Sequence, residues 1–294
     1  MKNMEQCKFQ LLTITYDKDL EWLKYCLKSI DKFAKKYSGH TIVIDDNHDC
    51  QNTLLFLREN NIRFFVNKEA KTIKHGYIRQ QYMKMICDQY VPEDTDWIIH
   101  IDSDSVFFEE HDPSIYFSKN NKPIMLMTPY NIFKDGEVPW QKSTEEFIKD
   151  AVKYEFMRRM PLIYPKWIFP EIREWIYKNH HKTLFQYLEN KLPLEFSEYN
   201  ALGAYLYKHY RDLYEWIDTI TQPYEQLPLL QMRSWDGISS KIDIIKNLIE
   251  NPEIHCLLKK IMQKLCVTID YRDIRIKDIH LLLGSTISKM KLDK

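Results

Sequence analysis

The stretch Trp97-Ile-Ile-His-Ile-Asp-Ser-Asp-Ser-Val-Phe-Phe108 decides the fold. Its opening run, Trp97 to Ile101, is aromatic and β-branched without a polar residue at every second place, the pattern of a strand covered on both faces of a parallel sheet. Asp102 and Asp104 follow at the carboxyl end of that strand. Open α/β sheets bind ligands there, because the chain turns away and leaves a crevice. In extended chain the two carboxylates point to the same side, so they suit one divalent cation, and a hard cation with open positions suits a phosphate. Asp-Ser-Asp after a strand is also a turn sequence, whose carboxylates can be occupied with backbone hydrogen bonds.

The rest of the chain gives that strand a setting. Phe9 to Thr15 reads as a first strand, and Asp19 to Tyr37 as a helix with Asp17 or Asp19 as its cap. Thr41 to Ile44 is a second strand ending in Asp45-Asp46, Thr53 to Asn60 a second helix, and Ile62 to Val66 a third strand. Alternating strands and helices at this spacing form the nucleotide-binding half of a doubly wound sheet. Right-handed crossovers then bring the ends of the first, second and Asp102 strands to one rim. Lys71 to Tyr90 reads as a helix leading into the Asp102 strand, and Pro123 to Met127 as a strand after it. Trp140 to Met160, and Ile168 to Leu188 with a break at Pro170, read as helical. Ser197 is a good N-cap for a helix carrying Glu198 in its first turn. Leu227 to Met232 is an expected edge strand, and Lys241 to Lys294 an expected helical tail.

Composition narrows the function. The chain has 294 residues, 44% of them hydrophobic, enough to bury one large core or two modest ones. Forty-two basic residues balance 42 acidic ones, so no general field favours nucleic acid or an anionic membrane, and an anionic ligand must be captured locally. The six cysteines lie far apart with no Cys-x-x-Cys pair, as expected of reduced core thiols in a cytoplasmic protein. Neither a membrane-spanning run nor a signal peptide is expected from the pattern.

Taken together, the N-terminal half, Asp102-Ser-Asp104 and Phe196-Ser-Glu-Tyr-Asn200 resemble glycosyltransferases of the A-type fold over roughly residues 8 to 235. The resemblance is greatest to the soluble bacterial and large-virus enzymes that build surface glycans. It implies an α/β fold, a single Rossmann-like and mostly parallel sheet flanked by helices. A transferase domain would span 1–235, with a donor half near 8–130, an acceptor half near 131–235, and a helical C-terminal extension over 236–294.

It also implies Mn2+ or Mg2+ at Asp102 and Asp104, binding the diphosphate of a nucleotide-sugar, with Ser103 beside it. A UDP-sugar is the favoured donor, with GDP- and dTDP-sugars open, and the acceptor is a glycan or other hydroxyl. Thr15, Tyr16 and Asp17 would line the nucleoside pocket, Tyr16 stacking on the base, and Asp45 would meet base or ribose. Arg79, Gln80 and Lys84 would lie beside the diphosphate, where a cation offsets phosphate charge. Glu198 would be the general base of an inverting transfer, although Tyr199 stands where a second acid is usual. His255 or Asp236 would be the third metal ligand.

Plain structural roles compete for each residue: an Asx turn at Asp45-Asp46, a solvated helix face at Arg79 to Lys84, and a first-turn carboxylate at Glu198. Two other functions compete as well. A strand followed by Asp-x-Asp also opens phosphohydrolases of the haloacid dehalogenase type, but those begin with that strand and keep their acidic pair downstream, whereas Asp45-Asp46 lies upstream here. The third option is a non-catalytic protein of nucleotide-sugar fold that binds a partner through its aromatic residues.

Overall fold

The computed structural model describes residues 4–46, 50–133, 140–157, 162–222, 229–231 and 249–250. At its centre is a five-stranded sheet of β1 (Phe9–Thr15), β2 (Gly39–Asp45), β3 (Phe64–Asn67), β4 (Trp97–His100) and β8 (Leu162–Pro165), in the order β3-β2-β1-β4-β8. The first four are parallel, and β8 runs antiparallel along β4, pairing Trp97 with Pro165 and His100 with Leu162. The chain moves from β1 outward to β3 and then returns to the other side of β1. The reversal leaves a crevice between the carboxyl ends of β1 and β4. All seven residues of β1 are buried, as a strand covered on both faces requires.

Helices cover this sheet. Trp22, Leu23, Cys26, Ser29 and Phe33 face inward from α1 (Leu20–Phe33), spaced to share one side of the helix. Ser29 Oγ donates to the Cys26 carbonyl and accepts the Phe107 amide, fastening α1 to the short strand β5 (Ser105–Phe107). Helices α2 (Gln51–Glu59) and α3 (Gly76–Met85) connect β2, β3 and β4. A second sheet joins β6 (Ile124–Pro129) to β7 (Tyr154–Glu155) and to β9 (Glu215–Asp218), and β10 (Leu229–Gln231) pairs antiparallel with β5. The helices α4 (Gln141–Ile148), α5 (Ile168–His180), α6 (Leu184–Leu188) and α7 (Glu198–His209) complete the described chain. No helix among the described residues is long and apolar enough to cross a membrane.

Most elements lie where the pattern places them, and the departures have physical causes. No side chain caps α1: Asp17 accepts from Thr53 Oγ1 and Asp19 from Ser103 Oγ, so both carboxylates are used elsewhere. The expected long helix over Lys71 to Tyr90 is shortened to α3, because Asn67 Oδ1 accepts the Ala70 amide and sets a 3-10 turn over Glu69–Thr72. Helix over Trp140 to Met160 stops at Ile148, where Lys149 turns left-handed at φ 52°, and the chain continues as β7. Pro170 does not break α5: it is third in the helix, where an amide has no intrahelical acceptor to lose. The break comes at left-handed His181, after which Thr183 and Gln186 form a capping box for α6. The strands β5, β7, β8 and β9 are additions to the expected set. Asp236, His255 and nearly all of the tail from Lys241 lie outside the described residues.

From Glu198 to Leu206 α7 is buried on every side, so no amphipathic stripe marks it. Gly203 is the point of closest approach. A Cβ there would sit 2.4 Å from Cβ and Cγ of buried Phe156. Gly203→Ala is expected to destabilise the protein by about 3 kcal/mol or more, at the upper end of overpacking, because two backbones must separate to admit one methyl group. Urea unfolding measures this, and a change below about 0.5 kcal/mol, the level of a neutral surface substitution, would show that the contact is soft.

Candidate functional site

At the crevice between β1 and β4 lies a cleft of about 890 Å³. Thr15, Tyr16 and Asp19 line it from the end of β1, and Asp45 from the end of β2. Gly76, Arg79, Gln80 and Lys84 contribute from α3, Asp102 to Asp104 from beyond β4, and Glu198 and Tyr199 from α7. Of the residues expected there, Asp17 is absent from the lining, and His255 lies outside the described residues.

The Asp-Ser-Asp segment is not extended. The Ser105 amide donates to the Asp102 carbonyl at 3.0 Å, closing a tight turn. Asp102 Oδ1 meets Lys84 Nζ at 3.0 Å, and Ser103 Oγ donates to Asp19 Oδ2 at 2.9 Å. Asp104 is buried. Burial, with a further push from Asp102, raises the Asp19 carboxyl to about 6 against the hydrogen bond from Ser103.

Lys84 holds the cleft floor together. It is 3% exposed, and its ammonium contacts Asp102 Oδ1 at 3.0 Å, Glu198 Oε1 at 3.1 Å and the Tyr199 hydroxyl at 2.7 Å, with the Tyr199 ring centroid 4.5 Å away. Burial alone would lower the pKa of this amine. The two carboxylates outweigh it and hold the amine protonated, above the ordinary lysine range. Burial pushes the Glu198 carboxyl upward from its ordinary value, and Lys84 pulls back only part of the way. The Glu198 amide donates to Gln81 Oε1 at 3.2 Å, and Ser197 Oγ caps α7 by accepting the Asn200 amide, so the start of the helix is fixed at this point.

One turn earlier on α3, Arg79 is equally committed. Its Nε donates to Asp45 Oδ2 at 2.8 Å, and one terminal nitrogen donates to the carbonyls of Ile73 and Lys74. A solvated helix face does not describe these residues, since both cations are buried. Sequence reasoning missed Asp19, Trp22, Tyr77 and Trp140 as lining residues. Asp19 carried a signal, a carboxylate just after a strand end; Trp140 carried none.

By formal charge five carboxylates (Asp19, Asp45, Asp102, Asp104, Glu198) face three cationic side chains (Lys18, Arg79, Lys84) across the cleft. The lining therefore has a surplus of hard, negative oxygen ligands of the kind a divalent cation takes. Among the described residues no three His, Cys, Asp or Glu side chains are grouped as a complete ligand set.

No protein-family model matches the chain, and no curated protein does. Among solved structures it is similar to galactosyltransferase LgtC in complex with donor and acceptor sugar analogs, at 12% identity over 82% of this chain and 95% of that one, with a TM-score of 0.45. It is also similar to an active-site mutant of LgtC, at 12% identity over 61% of this chain and 68% of that one, TM-score 0.40. A third similarity is to an S. aureus TarS fragment, at 15% identity over 34% of this chain and only 28% of that one, TM-score 0.25. None of these reaches a TM-score of 0.5, so the cleft's own geometry has to carry the function.

Lys84→Met removes the ammonium from the buried Glu198 and the half-buried Asp102, and the expected loss is about 3–5 kcal/mol. Glu198, already shifted upward, then binds its proton more readily folded than unfolded. The loss is therefore full at alkaline pH and shrinks as pH falls through its folded value. Urea unfolding at pH 5 and pH 8 checks both size and sign; an equal loss at the two pH values would remove Glu198 from the account.

Proposed function

We propose that this chain is a glycosyltransferase of the A-type fold, moving a sugar from a nucleoside-diphosphate sugar to a glycan or other hydroxyl acceptor. One observation supports this reading. At the switch point of a mostly parallel sheet, Asp102 of the strand-end Asp-x-Asp and the helix-start Glu198 are tethered to the same buried lysine in a single cleft. A hydrolase that used Asp102 as nucleophile would not need Glu198 there.

The donor half is assigned to about 8–130, the acceptor half to 131–235, and the extension to 236–294. Thr15 and Tyr16 bound the nucleoside end, with Asp45, held by Arg79, facing base or ribose. The donor is a UDP-sugar in preference to a GDP- or dTDP-sugar. Asp102 and Asp104 would hold Mn2+ or Mg2+, and the oxygen-rich, negatively charged lining fits such an ion. His255 or Asp236, both outside the described residues, would complete the ligand set. When bound, the cation supplies positive charge to the diphosphate leaving group. Lys84 keeps Asp102 and Glu198 at fixed positions, and Gln80 lines the diphosphate side.

Glu198 is assigned as general base. Its upward-shifted carboxyl is better matched to taking the acceptor hydroxyl's proton near neutral pH than an ordinary surface glutamate. In an inverting transfer that proton goes to Glu198 Oε as the acceptor oxygen bonds to the anomeric carbon and the bond to the diphosphate breaks.

Melting temperature followed with UDP, GDP, dTDP and CMP, with and without Mn2+, tests the donor assignment. A metal-dependent rise with one nucleoside diphosphate is expected, and Asp104→Ala should abolish that rise. Stabilisation by inorganic phosphate alone would favour the phosphohydrolase. Glu198→Gln keeps shape but not basicity, and should lower kcat about 10²–10⁴-fold with donor affinity little changed. Preserved kcat with lost stability would reduce Glu198 to a helix-start residue and point to retaining chemistry, in which the departing phosphate oxygen takes the proton.

A further inference from the structure

The lining of the cleft is of two chemistries. Besides its acidic residues it has an apolar wall to which Trp140, Met157, Pro193 and Leu194 contribute, and Glu198 lines the same cleft. Two features of this wall are held in place against their local preference. Trp140 has a left-handed backbone, φ 67° and ψ −8°, where a bulky residue is a true outlier. Its carbonyl accepts from the Thr144 amide at 2.8 Å, Thr144 Oγ1 at 2.7 Å and Ser143 Oγ at 3.1 Å, so three donors fix the strained residue at the head of α4. Its indole N–H is buried and has no hydrogen-bond partner among the described residues. Strain of this kind clusters at ligand clamps, and a ring whose polar edge makes no such bond has its face to offer a ligand.

The second feature is the turn before α7. The Leu192 amide donates to Glu195 Oε2 at 2.8 Å, and the Glu195 amide donates to the Leu192 carbonyl at 2.9 Å. That closed turn holds Leu192 and Leu194 out in water, 53% and 64% exposed, with Pro193 between them. Leu194 belongs both to this exposed lip and to the lining of the cleft that Glu198 shares.

We infer that this wall is the acceptor subsite and that the acceptor is an amphipathic glycoside, its pyranose face on the Trp140 indole and its apolar aglycone over the Leu192–Leu194 turn. The inference rests on the transferase reading for its function. The chemistry behind it is general: an aromatic face binds the C–H face of a sugar while leaving its hydroxyls to polar partners, here Glu198. An apolar tail gains from covering leucines otherwise left in water.

The test compares methyl and octyl β-glycosides of glucose, galactose and N-acetylglucosamine, below micelle-forming concentrations, by saturation-transfer NMR and titration. For at least one sugar, saturation should fall on one face of the ring, and the octyl glycoside should bind about tenfold tighter than the methyl one, as partial burial of the chain predicts. Leu192→Ser/Leu194→Ser should bring that ratio close to one. Trp140→Gly suits the left-handed backbone, so it should fold while losing both ligands; Trp140→Phe, which keeps a ring face, should retain them. The inference is overturned if no glycoside binds, if the ratio survives the double substitution, or if Trp140→Gly binds as well as wild type. Leucine-dependent binding to phosphatidylcholine vesicles without glycoside binding would overturn it too, and would make the lip a membrane contact. Glycoside binding through these residues by a protein indifferent to every nucleoside diphosphate would sink the transferase reading and leave the glycoside site standing.

Discussion

An ammonium group with almost no access to water can be kept only if anions surround it, and the placement of Lys84 makes that constraint the centre of the molecule. Its partners come from positions 102, 198 and 199, so one side chain fixes the turn after β4 and the start of α7 against α3. Arg79 repeats the arrangement one turn earlier, anchoring the end of β2 through Asp45. Helix α3 thus carries two buried cations along the rim of the sheet, each committed to a carboxylate supplied by another element.

This commitment shapes what the cleft can do. The cations nearest the crevice are engaged by the protein's own carboxylates, so the field offered to a ligand is set by the remaining acidic oxygens. An anion would enter such a site together with a cation, which is the order of events that hard-ligand chemistry favours. Lys84, Arg79 and Glu198 are already positioned and buried, and low water access strengthens the charge interactions they make.

How much of this could be read beforehand depended on whether local pattern or tertiary context decided each residue. The strands β1 to β4 announce themselves, since apolar runs such as Phe9 to Thr15 have few alternatives to a two-faced burial. The rim position of Asp102 and Asp104 follows from topology alone. Their conformation does not: nothing local says that Ser105 will close a turn on Asp102 rather than leave both carboxylates in line. Lys84 is a similar case. In sequence it belongs to a polar stripe on a helix, and only the arrival of residues more than a hundred positions later turns it into an internal counter-ion. The strands at Tyr154–Glu155 and Leu162–Pro165 depart from the pattern because helix propensity says little about where Lys149 turns left-handed, or that β8 will find an open place beside β4. Trp140 lay beyond any pattern, as one aromatic residue at the head of a short helix looks like many others.

The outer strands of the central sheet, β3 and β8, are each four residues long, and β8 ends in Pro165. Proline offers no amide to a further strand, and so short a ladder gives an incoming chain few backbone groups to pair with. Within the described residues the sheet thus ends in edges that discourage self-association. A protein with a strongly apolar, mostly parallel core needs such edges, because parallel sheets assemble slowly and leave strands exposed while they do.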